Sequence, residues 1–273
     1  MITDLSFVKD NLPLIKADAH KYSKGYAVVF AGSYLMAGAA ILSSKAALKS
    51  GAGIVRLVVP ESIYPVCAAA LPEAVHSLLE NDVDISKCGG VLFGCGTGQG
   101  ELAENTLLRL IDECRKPLLI DADGINILSR HIDVLKNKKC PVVPTPHIGE
   151  MARLTGLSAE YITKNRVKVA VDFAKEYHVD LLLKGKDTVI ANPEGEFFIN
   201  PTGSSALATA GSGDVLSGII TAFMAQGAEP FKAAVMGAFI HGLSGEKAEQ
   251  NLTERCVIAS DIIEYLPEVF KEC

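Results

Sequence analysis

The chain reads as an α/β protein with a central, mostly parallel sheet covered by helices on both faces. Short β-branched runs alternate with longer helical stretches along its 273 residues, the pattern of strand–helix–strand units. Most of the short runs are continuously apolar rather than alternating, as strands buried on both faces are. No repeat, low-complexity tract or linker interrupts the alternation, so one domain over residues 1–273 is expected.

The first strand is expected at 26–30 (YAVVF) and is followed by an alanine-rich helix over 38–50. Ala39, Ala40, Ser43, Ala46 and Ala47 of that helix are all small. They suit close packing on the sheet, or room for a ligand; composition favours packing. Further strands are expected at 54–59, 91–94, 117–121, 141–143 and 181–184, with helices over 101–114 and 161–177. A hairpin is expected from 188–191 and 196–200, flanking the turn-forming Asn192-Pro-Glu-Gly195. Helices over 214–225 and 230–250 complete the pattern.

Composition excludes several functions. With 49% hydrophobic residues a sizeable core is available and nothing reads as disordered. The net charge is −6 and the 26 Lys and Arg are scattered without a basic stripe, which argues against nucleic acid as a partner. The opening MITDLSFVKDNLP lacks the long apolar run of a signal peptide, and no stretch approaches 18 apolar residues, so no membrane span is expected. Seven cysteines without a CxxC pair suit a reduced, cytoplasmic setting, where Asn251-Leu-Thr253 is a chance glycosylation match.

Ligands of open α/β sheets bind beyond the carboxyl ends of strands, and four such places carry unusual composition. Ala31-Gly-Ser33 follows the first strand. GCGTGQG (94–100) follows Val-Leu-Phe, but Gln99 stands where a GxGxxG loop needs glycine. LLIDADGIN (118–126) places Asp121 and Asp123 at a strand end, where helix capping competes with a ligand role. Most informative is NPTGSSALATAGSGD (200–214), where Gly211, Ser212 and Gly213 run into an apolar helix. Glycines there let successive N–H groups converge, and the helix N-terminus adds partial positive charge: an anion hole suited to a transferring phosphoryl group. Asp214 at that point could take a proton from an attacking hydroxyl, or serve only as a cap. No GxxxxGK[ST] loop exists; Gly185-Lys186 is followed by Asp187, so a nucleotide would bind without a P-loop.

ATAGSGD followed by an apolar helix resembles the anion hole of ribokinase-like proteins, and the whole chain is most similar to the ADP/ATP-dependent NAD(P)H-hydrate dehydratases. The segments carrying the resemblance run in order: GSYLMAGAA (32–40), GAGIVRL (51–57), GCGTG (94–98), LLIDADGIN (118–126), TPHIGE (145–150), LLLKGKDTVI (181–190), NPTGSSALATAGSGDVLSGII (200–220) and HGLSG (241–245). The resemblance implies a ribokinase-like fold and repair of nicotinamide cofactors. The C6 hydrate of NADH or NADPH (the S epimer) would be dehydrated at the expense of ADP or ATP, with Mg²⁺. It implies Asp214 as the catalytic acidic residue, with Gly211, Ser212 and Gly213 forming the anion hole. Lys184, Gly185, Lys186, Asp187 and Thr188, with Gly213, would contact the nucleotide, and Ala39, Gly98, His147 and Asp214 the hydrated cofactor. A homo-oligomer, commonly a tetramer, is implied as well. Bacterial relatives can carry an epimerase domain, for which 273 residues leave no room. Ser204-Ser-Ala206 stands where the family usually has Asn-Pro-Gly, which alters the loop before the anion hole.

Hydroxide is a poor leaving group and phosphate a good one, so a kinase-like site can drive a dehydration. Asp214 would deprotonate the C6 hydroxyl as it attacks the terminal phosphoryl, and the ring nitrogen would then expel phosphate. Magnesium would ride on phosphate oxygens and water, with Glu150 either a supporting carboxylate or a cap for the helix starting at Ile148. Lys184 to Thr188 reads equally as a solvated lysine turn, and His147 as a structural hydrogen-bonding residue near a helix start. The rival functions are a hydroxymethylpyrimidine, thiazole or pyridoxal kinase of the same fold, and a non-catalytic nucleotide sensor. His147 favours the dehydratase over the kinases, and an intact Asp214 disfavours the sensor.

Overall fold

A computed structural model describes all 273 residues. The parallel sheet is built from β1 (Tyr26–Phe30), β2 (Ile54–Val59), β3 (Val75–Leu78), β4 (Gly90–Phe93), β5 (Leu118–Ile120) and β6 (Val142–Pro144). Their spatial order is β3-β2-β1-β4-β5-β6, with every pair parallel. Three further strands, β7 (Leu181–Leu183), β8 (Thr188–Ala191) and β9 (Phe197–Asn200), form an antiparallel sheet. The backbone N–H groups of Asp180 and Lys184 donate to the carbonyls of Val142 and Pro146 at 3.1 and 2.8 Å, so β7 continues the edge of β6.

Eleven helices complete the chain: α1 (Leu5–Asn11), α2 (Ala37–Lys49), α3 (Tyr64–Ala70), α4 (Glu101–Glu113), α5 (Asp123–Leu128), α6 (Ile148–Thr155), α7 (Ala159–Lys164), α8 (Arg166–Tyr177), α9 (Ser212–Ala225), α10 (Pro230–Leu252) and α11 (Ala259–Glu272). Successive residues of a strand face opposite sides, and the sheet therefore divides its apolar residues between two cores. Ala27, Val29 and Leu57 pack with α2, α9, α10 and α11; Val28, Phe30 and Val91 pack with α4, α5 and α8. The expected helix-covered sheet is thus present, and no helix is long and apolar enough to cross a membrane.

The small residues of α2 are used for packing. A side chain at Gly218 of α9 would put its Cβ 2.1 Å from the Ser43 carbonyl, so only glycine permits this helix crossing. Ala40, Ser43, Ala46 and Ala47 are fully buried along the same face.

Boundaries differ from expectation in physically readable ways. The helix expected over 161–177 is two helices, broken at Asn165 (φ −127, ψ 32), with Ser158 capping the first by accepting from Tyr161 N at 3.2 Å. The strand expected to include Lys184 ends at Leu183. Strand β3 and helices α1, α3, α5 and α11 have no counterpart in the expected elements.

Candidate active site

Strand β5 delivers Asp121 to the carboxyl end of the sheet, where the residue is 1% exposed. Its Oδ1 accepts from the Ala122 N–H at 2.8 Å and from Lys184 Nζ at 2.5 Å; its Oδ2 accepts from Ser217 Oγ at 2.7 Å. Burial of a carboxylate is costly unless it is paired and hydrogen-bonded, and here both oxygens are satisfied. Asp121 is therefore no helix cap. The next residue, Ala122, is held at φ +49, ψ −115, a sparsely populated conformation that costs a non-glycine residue about 1–3 kcal/mol. Asp123 then opens α5, and its carboxylate accepts from Gly98 N at 2.9 Å and Gln99 Nε2 at 3.2 Å. The two acids flanking Ala122 thus have separate tasks: one holds a lysine, the other fixes the glycine-rich turn after β4.

Helix α9 starts beside this pair. Gly211 caps it at φ +90, where a Cβ would lie 2.5 Å from Leu42 Cδ1. The amides of Ser212 and Val215 are bonded to Thr209 O and Gly211 O, whereas those of Gly213 and Asp214 have no acceptor in the chain. Those two unpaired donors and the helix dipole make the positive end expected of an anion hole. A Cβ built on Gly213 would lie 3.6 Å from Lys184 Nζ and 3.7 Å from Asp121 Oδ2, which puts the ion pair directly behind the amides.

The Asp214 carboxyl is pushed up to about 6, first by burial and then by the Asp121 charge; the Cys95 thiol and Lys184 oppose the shift. A carboxylate so placed is a stronger base than an exposed one, yet still ionised at neutral pH.

A cavity of about 910 Å³ opens beside the α9 terminus. Lys184 to Thr188, residues 200–205, Ser212, Gly213 and His241 line it. The 184–188 turn is tight: Gly185 sits at φ +146, Asp187 at φ +54, and Thr188 Oγ1 donates to Gly185 O at 2.9 Å. Gly185, Lys186 and Asp187 are exposed, whereas the Lys184 ammonium is committed to Asp121. The lysine that looked like a free cation is the partner of a buried acid.

The residues expected around the hydrated cofactor fall into two groups. Ala39 and Gly98 lie at the carboxyl ends of β1 and β4: Gly96 abuts Ala39, and Gly98 abuts Ser33. Ala39 itself is 8% exposed. His147 instead lines the cavity with Lys184 to Thr188. It is the N-cap of α6, its Nδ1 accepting from Gly149 N at 2.9 Å and Glu150 N at 3.2 Å. Glu150 Oε2 in turn accepts from His147 N at 2.8 Å, completing a capping box. Burial and the Lys184 charge hold the His147 ring below its usual range, hence neutral, with Nδ1 the acceptor. Glu150 is 5% exposed and committed to that cap, and no group of three His, Cys, Asp or Glu converges to hold a metal ion.

Sequence reasoning missed three participants. Ser217 and Cys95 reach the acids from positions 96 and 26 residues away from Asp121, and such contacts leave no periodic trace. His241 comes from the middle of α10 to meet Ser212; the HGLSG segment marked it without giving it a task.

Residues 27–268 match the family described as NAD(P)H-hydrate dehydratase. The chain is 36% identical over 97% of its length to the bifunctional NAD(P)H-hydrate repair enzyme of Moorella thermoacetica, and spans about half (53%) of that protein. It is 30% identical over 97% of its length to the ADP-dependent (S)-NAD(P)H-hydrate dehydratase of Bacillus subtilis, covering 95% of that enzyme. The crystal structure of the ADP/ATP-dependent NAD(P)H-hydrate dehydratase from Bacillus subtilis, grown with ATP and Mg²⁺, superposes with a TM-score of 0.88 at 29% identity, covering 97% of this chain and 95% of that one. By family match, by relatives and by its ribokinase-like architecture, the chain belongs to the NAD(P)H-hydrate dehydratase family.

Proposed function

We propose that this chain converts the S epimer of the C6 hydrate of NADH or NADPH back to the reduced cofactor, consuming ADP or ATP. The observation that carries this reading is the Asp214 carboxyl, pushed up to about 6, on a helix turn whose Gly213 and Asp214 amides are unpaired and whose Ser212 and Gly213 line a 910 Å³ cavity. Asp214 takes the proton of the C6 hydroxyl as its oxygen attacks the terminal phosphoryl, and the bond to the nucleotide breaks. The Gly213 and Asp214 amides, carried by the Gly211 and Ser212 turn, receive the charge that develops on the phosphoryl oxygens. The ring nitrogen then expels phosphate from C6, and a C5 proton leaves. Lys184 to Thr188 border the nucleotide, while Ala39 and Gly98 border the hydrated nicotinamide ring. Magnesium would be held through the nucleotide's phosphate oxygens and water, and would neutralise phosphate charge there.

The relatives' names support the substrate, and the geometry supports phosphoryl transfer as the first step. The seven free cysteines suit a reducing, cytoplasmic compartment. Tyr34 and Leu35, 73% and 83% exposed beside Ala39, are an apolar surface suited to a homo-oligomer, a tetramer by the family resemblance. The chain acts as one domain in this reading. The deciding assay combines purified protein, hydrated NADH, Mg²⁺ and either nucleotide, and follows the return of 340 nm absorbance. No return with ADP or ATP defeats the proposal. Accumulation of a stable phosphorylated product from a hydroxymethylpyrimidine, thiazole or pyridoxal substrate would instead establish a kinase.

A further inference from the structure

His241 has no part in the mechanism derived above, yet it stands at its centre. It comes from the middle of α10, is 7% exposed, and lines the same cavity as the anion loop. Its Nε2 lies 3.1 Å from the hydroxyl of Ser212, the first residue of α9, which is itself 6% exposed. Ser212 adjoins Gly213, whose amide has no acceptor. A buried imidazole is an unusual choice for a helix–helix contact that an aliphatic side chain would fill.

The chemistry of the pair limits what it can do. Burial holds the His241 ring down at about 4, against a contact with the Ser212 backbone and helped by the Lys184 charge, so it is neutral at pH 7. A neutral imidazole has one donor and one acceptor nitrogen. If Nε2 accepted from the serine, the hydroxyl would turn only lone pairs toward an incoming phosphoryl group. If Nε2 carries the proton and donates, the serine proton is free to point at an anion held by the neighbouring amides. An anion at the α9 terminus selects the second arrangement.

We propose that His241 is a positioning residue for phosphoryl transfer: its Nε2–H holds the Ser212 hydroxyl so that the hydroxyl donates to the transferring phosphoryl group. The inference rests on the phosphoryl-transfer reading of the site. It predicts a third donor in the anion hole beside the Gly213 and Asp214 amides, a side-chain donor set by a residue that does not touch the substrate.

The test uses the full chain with four variants: Ser212→Ala, His241→Ala, His241→Gln and the double alanine. Turnover of hydrated NADH is measured together with ATP affinity by calorimetry and Tm. A hydrogen bond to a charged group corresponds to roughly 10- to 100-fold, so kcat should fall by that order in each single alanine variant, with the hydrate KM within about twofold of wild type. The double variant should be no worse than Ser212→Ala, because the two act through one contact. His241→Gln, whose amide N–H can stand where Nε2–H stands, should recover most of the loss. A helix-packing role would instead lower Tm, give multiplicative losses and leave His241→Gln as poor as His241→Ala; that outcome overturns the inference. Wild-type protein without turnover defeats the phosphoryl-transfer reading, and ATP affinity then decides separately. Loss in both single variants with rescue by Gln upholds the pair as an anion donor, and unchanged ATP affinity overturns it.

Discussion

Asp214 and Asp180 titrate alike and stand at opposite ends of the sheet. Both are half-buried and both are pushed up, to about 6 and about 7, with desolvation the leading cause in each. Asp214 stands at the carboxyl ends of the strands, on a helix turn with two unpaired amides and a buried lysine nearby, and its neighbours Ser212 and Gly213 line a cavity. Asp180 stands where the chain leaves α8 for β7, with Glu229 and Glu194 adding to its shift. Its nearest cation, Lys138, donates instead to the carbonyls of Leu135 and Tyr177 at 3.3 and 2.8 Å. A shifted carboxyl is thus no site by itself. What separates the two is a convergent set of donors and a space for a substrate, and these occur only where parallel strands end and glycine loops turn.

The sharpest way to break this comparison is at Asp214. Asp214→Asn should lower kcat by on the order of 100- to 10,000-fold, since the amide cannot accept the hydroxyl proton. The same change removes a carboxyl whose folded pKa lies above its ordinary 3.8. Such a group supports the fold below about pH 4 and loses that support as pH rises through 6, so the Asn variant should be more stable at pH 7 by roughly 2–3 kcal/mol. Near-normal turnover with a raised Tm would leave Asp214 a mere cap. Wild-type kcat should rise tenfold per pH unit below about 6 and level off above it; a flat profile from pH 5 to 8 would remove Asp214 as the base.

Lys184→Met comes next, because it strands Asp121 as an uncompensated buried charge. Breaking a buried pair from one side costs about 3–5 kcal/mol, to be read as a fall in unfolding free energy by denaturant titration. Little change there would mean that water reaches Asp121 readily. Asp180→Asn should do the reverse: at pH 8 it should stabilise by roughly 2–4 kcal/mol, with kcat unchanged, because the folded pKa near 7 leaves an unfavourable buried charge above that pH. An activity loss in a stable Asp180→Asn protein would blur the contrast between the two ends. The smallest effect belongs to His147. Removing its side chain should cost about 0.5–1.5 kcal/mol through the lost cap and one contact. Its position on the wall with Lys184 to Thr188 makes nucleotide affinity, measured against hydrate KM, the informative comparison. A hydrate KM that rises alone would group it with Ala39 and Gly98.

Much of the sheet was legible in the sequence because a strand buried on both faces is written as an unbroken apolar run. β1 and β2 lie at the residues expected of them. β3, with Val75 48% exposed at the open edge, carries too little hydrophobic signal to stand out. α11 was hidden by Pro267 in its interior, a residue that lacks the N–H a helix needs. At the site, the glycine loops and Asp214 are local in sequence and were readable. The Asp121–Lys184 pair spans 63 positions and its hydrogen bond to Ser217 spans 96, so only the folded chain brings those groups together.

The strand order carries a consequence for how the molecule comes into being on the ribosome. The first strand made is one of the two central ones, and its partners arrive on either side as synthesis proceeds. The helix that crosses beneath it, α9, with Gly218 pressed on Ser43, is encoded past residue 211. Until about four-fifths of the chain has emerged, one apolar face of the sheet, Ala27, Val29 and Leu57 among it, lacks the cover of α9, α10 and α11. A nascent chain in that condition is a natural client for chaperones, and a ribosome stalled before residue 212 should present a sticky, protease-sensitive sheet.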